Sequence, residues 1–409
     1  MEEQKEKVCY YETLLKKEWS YNSGAVVMTV IALMMASFAG AWGVSGPLAS
    51  WGGKILTLIG INADSWKMYN GSLAKFKFLA NQPSITDVSL ALGALTSCLL
   101  AAQWKLRNIK SIRQVWAAVI GGTLMGIGAR IAPGCNIGAL FSSLPQYSLS
   151  GWIFLVFVFA GATVGGKVLT AWFLPPVSHE RRDRKNRPSP EQRKRNRTIQ
   201  ITIGVILLVL FIIFAINTKG SYPNAGFFLF IGLGIGYAMQ RSRLCFTAAY
   251  RDPTLTGSTK LTKAVIVALA IASIGFAGIH MSRYGADLSK LPETVPGGAI
   301  GLHLLIGAFI FGIGAVLAGG CASGTFIRVG EGYVQSMIAL VFFIVGSMIG
   351  TPIMSAIQKT PFLYSGTRVY LPKLFGGFGP AILIQLLALL CLWILADWWE
   401  RKKTAEFNK

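Results

Sequence analysis

Long apolar runs limit the fold of this chain more than any other feature of its sequence. A helix of about 20 apolar residues crosses a hydrocarbon core about 30 Å thick. Ten runs of roughly that length follow one another along the chain, at 24–45, 85–104, 115–133, 149–174, 199–216, 226–240, 262–281, 299–320, 334–356 and 374–397. Lipid admits only helices or closed barrels, and such runs are typical of helices. The sequence therefore predicts an all-α polytopic membrane protein with about ten spans.

The charged residues agree with this class of protein. Of the 409 residues 53% are hydrophobic and 14% are charged, and the formal net charge is +22. A basic chain could bind nucleic acid, but its Lys and Arg residues concentrate in short loops, as the positive-inside rule describes. These loops are 105–113, 181–197, 241–263 and 401–403. We therefore predict no nucleic-acid partner and cytoplasmic N- and C-termini, although loop 46–83, with four Lys residues, departs from the trend.

The same pattern divides the chain into two membrane halves. Segment 1–23 is polar, lacks a cleavable signal pattern and is expected in the cytoplasm. The first half covers 24–174 and the second covers 199–398. A basic, Pro-containing cytoplasmic linker at 175–198 joins them. Residues 399–409 form a cytoplasmic tail.

One phrase occurs in both halves, and each copy ends on a cysteine. The sequence GIGARIAPGC at 126–135 corresponds to GIGAVLAGGC at 312–321, so Cys321 follows Cys135 by 186 residues. Proline lacks an N–H group and glycine weakens helix interiors, so each phrase predicts a broken helix. Irregular backbone at membrane depth is tolerated only where protein buries it or a water-filled cavity meets it. We therefore predict re-entrant Gly-Cys segments in two pseudo-symmetric repeats.

These segments have the chemistry of an anion site. Broken helices point free N–H groups and a positive dipole end at a cavity. A thiol is polarisable and a weak donor, which favours a sulfur-containing anion over a hard phosphate. Arg130, five residues before Cys135, either attracts the anion or anchors the segment at the headgroups. The plain structural interpretation is that Gly and Cys allow close helix packing, but the duplication makes us favour a binding site.

A second pair of cysteines supports the repeat. The sequence CLLAA at 98–102 resembles CFTAA at 245–249, so each half contains two cysteine elements in the same order. The spacing is 37 residues from Cys98 to Cys135 and 76 residues from Cys245 to Cys321. The difference comes from an additional apolar segment, 262–281. Transporter repeats are parallel or inverted, and the sequence leaves this choice open.

Two other functions remain open from the residues alone. A membrane thiol enzyme that transfers sulfane sulfur or reducing equivalents would use cysteine thiolates, but the chain has no Cys-x-x-Cys, no adjacent base and no cofactor motif. Transport of a soft metal such as copper(I) ranks last, because the chain has three His and no Met-rich tract. We expect no acidic residue deep in an apolar run, so a proton- or sodium-coupled carboxylate relay has no predicted carrier.

The repeated motif resembles a known family. Two copies of Gly-x-Gly-Ala-x-x-Ala-x-Gly-Cys, together with CFTAAYRD at 245–252, are similar to the YeeE/YedE family of sulfur-transport membrane proteins, and to its YedE branch in particular. The resemblance covers residues from about 24 to 398. It implies a bacterial inner-membrane permease that imports thiosulfate or a related sulfur compound. Pore cysteines of that family relay the substrate through weak S–H contacts.

The resemblance also assigns residues and partners. The relay role falls on Cys135 and Cys321, and less directly on Cys98 and Cys245. A small cytoplasmic sulfur-carrier protein of the TusA type is the implied partner, and the YedE branch adds a link to selenium metabolism. The predicted substrate-binding residues are Cys135, Cys321, Gly134, Gly320, Cys98, Cys245 and Arg130. No cofactor or metal site is predicted.

Overall fold

A computed structural model describes residues 15–66, 68–69, 71–173, 189–218, 222, 224–285 and 297–407. In these ranges the chain forms helices and no strand. The α-helices are α1 (Tyr21–Ala39), α2 (Ser45–Leu58), α3 (Gln82–Leu100), α4 (Ile112–Ile131), α5 (Leu149–Val168), α6 (Pro190–Thr218), α7 (Ala225–Ser242), α8 (Phe246–Leu255), α9 (Lys260–Tyr284), α10 (Leu302–Ala318), α11 (Ala322–Gly330), α12 (Val334–Ile357), α13 (Leu371–Leu374) and α14 (Phe378–Phe407). Two π-helical turns, Asn136–Ser142 and Leu169–Phe173, complete the membrane part.

Each of the predicted apolar runs coincides with one long helix. Nine helical stretches in the described part of the chain are long and apolar enough to cross a membrane. The remaining run corresponds to α7, whose last turn contains Gln240 and Arg241. The all-α polytopic prediction is therefore confirmed. The short helices α2, α8 and α11 come in addition, and α2 lies in sequence that we expected to be a loop.

Glycines bring the central helices together at backbone distance. Helix α4 packs on α10 and α12, α10 also packs on α5, and α3 packs on α7. A Cβ at Gly128 would lie 2.6 Å from the Phe311 nitrogen, and a Cβ at Gly314 would lie 2.4 Å from the Met125 nitrogen. Close approach of this kind is the usual role of small residues in membrane helices. The first glycines of each duplicated phrase therefore serve packing, and only the Gly-Cys end is left to form a site.

Polar contacts distinguish the two ends of the bundle. At one end Arg241 donates to the Leu15 carbonyl at 2.8 Å, and Arg107 N donates to the Gly332 carbonyl at 2.8 Å. We call this the terminal end, because α1 begins there and the last turns of α14 bind Lys263 there. At the opposite end Arg283 donates to the Ala36 carbonyl at 3.1 Å. Loop 358–370 also lies at the opposite end.

The two duplicated phrases run through the bundle in opposite directions. Helix α4 begins beside the terminal end, a few residues after Arg107. Helix α10 begins at the opposite end, where His303 N donates to the Leu363 carbonyl at 3.2 Å. This order favours an inverted form of the predicted repeat, and the repeat itself stays a prediction.

The predicted linker is shorter than its sequence suggested. Residues 190–198 belong to the first turns of α6, so the basic stretch becomes helical before it enters the apolar run. Residues 175–188 of that linker lie outside the described residues, as do residues 1–14 of the N-terminal segment. The division into two halves remains a prediction.

Candidate functional site

A cavity of about 660 Å³ lies at the opposite end of the bundle. It is lined by the first residues of α2, the end of α4 and loops at this end of the bundle. Its lining includes Arg130 and Arg368, while Gly134 and Gly138 belong to the first Gly-Cys segment. The cavity therefore leads from the surface to the backbone just before Cys135. A positive, partly apolar hollow of this size is typical of a small-molecule site.

Arg130 lies inside the bundle and faces this cavity. Its side chain is 8% exposed, and its Nη2 donates to the Ser45 carbonyl at 2.8 Å. Its Nε is buried and has no hydrogen-bond partner among the described residues. A side chain that is buried inside the bundle is poorly placed to reach lipid headgroups, which favours the anion interpretation over the anchor. An unpaired N–H beside a cavity is costly unless a ligand or water accepts from it, so Arg130 is suited to an anion.

The N-terminus of α2 faces the same cavity. Ser45 and Gly46 line it, and among the described residues no side chain caps the N–H groups at the start of this 14-residue helix. Gly46 has open space around it, so a ligand can approach the backbone closely. The positive dipole end and the Arg130 guanidinium therefore act on one volume. Sequence analysis missed this helix, because its run of apolar residues is too short to span a membrane.

A tyrosine adds a neutral polar group to the wall. Tyr69, in the loop after α2, donates its hydroxyl to the Ala49 carbonyl at 2.8 Å. Burial raises the pKa of this phenol. The group therefore stays protonated at physiological pH and does not add negative charge to the cavity.

The first Gly-Cys turn closes the floor of the cavity. Helix α4 ends at Ile131, and Gly134 has a φ of +147°, which a residue with a Cβ rarely adopts. A Cβ there would also lie 2.8 Å from the Ala139 nitrogen. Cys135 then caps the π-helical turn Asn136–Ser142 and is 1% exposed. The next side chain, Asn136, is fully buried, and neither of its amide atoms has a hydrogen-bond partner among the described residues.

The second Gly-Cys turn does not line this cavity and lies beside another cysteine, Cys245. Gly319 has a φ of +83°, Gly320 follows it, and Cys321 caps α11 in an extended conformation. The sulfur of Cys321 lies 3.4 Å from the Ser323 hydroxyl. Gly324 separates Cys321 from Cys245, and a Cβ at this position would be 3.7 Å from both sulfurs. Cys135 lies within electrostatic range of Cys321. The fold thus gathers three of the four predicted cysteines.

The fourth cysteine lies elsewhere. Cys98 is inside α3 near the terminal end, within electrostatic range of Glu331 and Arg241. Cys245, by contrast, caps the short helix α8. The two cysteines therefore occupy different local structures, and their shared Cys-x-x-Ala-Ala sequence is not a shared structural element. Cys391 is exposed on α14, away from these cysteines.

One expectation about charge was wrong. Asp87 lies in α3 with 0% exposure, and neither carboxylate oxygen has a hydrogen-bond partner among the described residues. It lies within electrostatic range of Cys135. Sequence analysis missed it because its run begins at residue 85, which made the carboxylate look like a boundary residue. Only the packing of α2, α7 and α11 around α3 shows that it is buried.

Comparison with known proteins agrees with the resemblance. A family model described as sulphur transport matches residues 1–164 and 241–409. The chain is 30% identical over 404 residues to the probable transporter YedE of Salmonella typhimurium, which covers 96% of this chain and 95% of that protein. The chain belongs to the sulphur-transport family. Both duplicated phrases and all three gathered cysteines lie in the matched residues.

Other relatives carry more specific names. The probable transporter YedE of Escherichia coli is 29% identical over 399 residues, which covers 95% of this chain and 94% of that protein. The thiosulfate transporter TsuA of Escherichia coli is 31% identical over 169 residues, which covers 41% of this chain and 46% of that protein. As a member of the sulphur-transport family, the chain is a multi-pass membrane transporter and not an enzyme.

Proposed function

We propose that the protein is a bacterial inner-membrane permease that imports thiosulfate or a related small sulfur- or selenium-containing anion. One observation carries this proposal: the cavity combines the Arg130 guanidinium with the N-terminus of α2 and ends at the Gly134–Cys135 turn. Positive groups at its mouth attract an anion. The name of the relative TsuA supports thiosulfate as the first substrate to test.

The cysteines then provide a soft path for the anion. Cys135 follows the cavity floor, and Cys321 and Cys245 lie together beyond it. Each thiol is a weak donor and a polarisable neighbour. Weak contacts at several successive sites let an ion bind and also leave. Gly134 and Gly320 keep the backbone beside these thiols free of Cβ atoms.

The terminal end is the proposed exit into the cytoplasm. It contains Arg107 and Arg241, and the basic start of α6 lies beside Trp104. This orientation agrees with the positive-inside rule. A TusA-type carrier protein in the cytoplasm would meet the anion there. Cys98 lies at this end and is the proposed last thiol of the path.

The test uses single cysteine variants. We expect Cys135→Ala or Cys321→Ala to abolish thiosulfate uptake while membrane insertion remains intact. The host strain lacks other importers and grows on limiting thiosulfate, and uptake of labelled thiosulfate into proteoliposomes gives the direct rate. Cys391→Ala is the matched control, because Cys391 is exposed on α14 and outside the proposed path. Normal growth of the Cys135 or Cys321 variant would refute the proposal for this substrate.

A further inference from the structure

A fully buried carboxylate lies next to the proposed anion path. Asp87 has 0% exposure, and both its oxygens lack a hydrogen-bond partner among the described residues. An isolated charge in a low-dielectric interior is very costly, and a buried ionisable group in a membrane protein is commonly functional. The helix dipole does not explain it, since Asp87 lies beyond the first turn of α3, where that effect fades.

The position of Asp87 connects it to the cavity. Asn81 and Pro83 line the cavity, and Asp87 lies one turn after Pro83 on the same face of α3. At a rise of about 1.5 Å per residue, this places it about 6 Å deeper than Pro83 along the helix. Gly134 marks the cavity floor and precedes Cys135, which lies within electrostatic range of Asp87. The carboxyl group and the first thiol of the path therefore lie within electrostatic range of each other just below the cavity.

Other ionisable groups around α3 are held away from Asp87. Arg241 of α7 reaches Leu15 at the terminal end, and Arg328 of α11 stacks on Tyr333. Lys54 of α2 lies near the Leu73 carbonyl at 3.4 Å. The remaining groups lie near the other end of α3. They are Tyr237 of α7 (which packs on Trp19), Glu331 at the end of α11, and four basic residues at the start of α6, namely Arg193, Lys194, Arg195 and Arg197. Cys135 is thus the titratable neighbour of Asp87 in the described part of the chain.

We propose that Asp87 is a proton-binding site and that the protein moves one proton together with each anion. This inference rests on the proposed function. The protonated side chain is neutral and lets an anion pass Cys135, whereas the carboxylate repels it. The proton comes from water in the cavity, binds an Asp87 oxygen, and leaves to water at the terminal end after the anion. No covalent bond to the anion forms or breaks. A metal ion fits less well, because hard cations take several oxygen ligands.

The test measures accumulation of labelled thiosulfate in proteoliposomes whose membrane potential is clamped at zero. The outside is one pH unit more acidic than the inside. For one proton per anion we expect wild-type protein to accumulate thiosulfate about tenfold, since one pH unit is a tenfold ratio in proton activity. Asp87→Asn mimics the neutral acid but cannot release a proton. It should reach equal concentrations inside and outside and should retain thiosulfate counterflow at symmetric pH, which shows that it is folded.

A surface carboxylate provides the matched control. Glu406→Gln removes an exposed carboxylate that pairs with Lys403 at the end of α14, and it should accumulate thiosulfate like wild type. Two results would overturn the inference: equal thiosulfate concentrations inside and outside with wild-type protein, or undiminished thiosulfate accumulation with Asp87→Asn. Thiosulfate accumulation that is driven by a sodium gradient and not by the pH gradient would also overturn the inference. If Asp87→Asn does not fold, the wild-type measurement still decides whether a proton moves with the anion, and the smaller neutral variant Asp87→Ser tests the site in its place. No uptake at all by wild type would instead refute the proposed function.

Discussion

The two Gly-Cys turns share a sequence pattern but have different surroundings. The Cys135 turn forms the floor of an open cavity and has Arg130, Asn136 and Asp87 around it. The Cys321 turn does not line the cavity and has Cys245, Ser323 and Thr325 among its polar neighbours. The first turn is therefore suited to selecting an anion through charged and polar groups. The second turn is suited to passing a soft anion onward. The two phrases share a backbone break, while the side chains around it differ.

The arginines show the same difference. Arg130 precedes the first turn by four residues, is 8% exposed and faces the cavity. The corresponding position before the second turn is Val316, which is fully buried in apolar contacts. Arg328 of α11 instead brings a guanidinium to Gly319, where a Cβ would be 3.1 Å from its Nη1. Each turn thus has one arginine nearby, and only the first is enclosed at the cavity.

The largest expected difference between the turns concerns their glycines. We expect Gly134→Ala to cost at least about 3 kcal/mol of folding free energy, because its φ of +147° is strained for any Cβ and the backbone of Ala139 blocks the space. Gly319→Ala should cost about 1–2 kcal/mol, since its left-handed φ of +83° is less severe and the flexible Arg328 side chain can move. Thermal unfolding in detergent, followed by size-exclusion chromatography, measures both. Equal losses of folding free energy would mean that the two turns tolerate a Cβ equally well.

A smaller difference should separate the arginines. Arg130→Gln removes the charge at the cavity but can keep the hydrogen bond to Ser45, so we expect about a tenfold rise in the KM for thiosulfate, in line with a lost charge-assisted contact. Arg328→Gln should change that KM about twofold or less, because Arg328 does not line the cavity. Initial rates of uptake into proteoliposomes measure both values. A larger effect for Arg328→Gln would place anion selection at the second turn.

The smallest expected difference is in thiol reactivity. A membrane-impermeant thiol reagent that is added from the cavity side should modify Cys135 faster than Cys321, by about tenfold, since modification follows access to the thiolate. Variants that retain only one cysteine of the path allow each modification rate to be measured separately. Excess thiosulfate should slow the reaction at Cys135. Mass spectrometry of peptides gives the rates. Faster labelling of Cys321 would indicate that the cavity does not lead first to Cys135.

Much of the fold was predictable because membrane spans are long and their solvent is uniform. Apolar runs such as 199–216 identify helices without knowledge of their partners. The limits of prediction appear at residues 45–58 and 246–255, where half-length helices depend on burial by neighbours. The pairing of Cys98 with Cys245 also failed to identify equivalent structure. Five residues of similar sequence do not reveal whether a cysteine lies inside a helix or caps one.

The sequence by itself determined the class of protein, the number of long apolar helices and the two helix breaks at Gly134–Cys135 and Gly320–Cys321. Apolar length and backbone chemistry are local properties, so they can be read along the chain. The tertiary structure alone decided which groups meet: Arg130 with the N-terminus of α2, Cys245 with Cys321, and Asp87 with Cys135. These residues are far apart in sequence, and only helix packing turns a boundary carboxylate into a buried one.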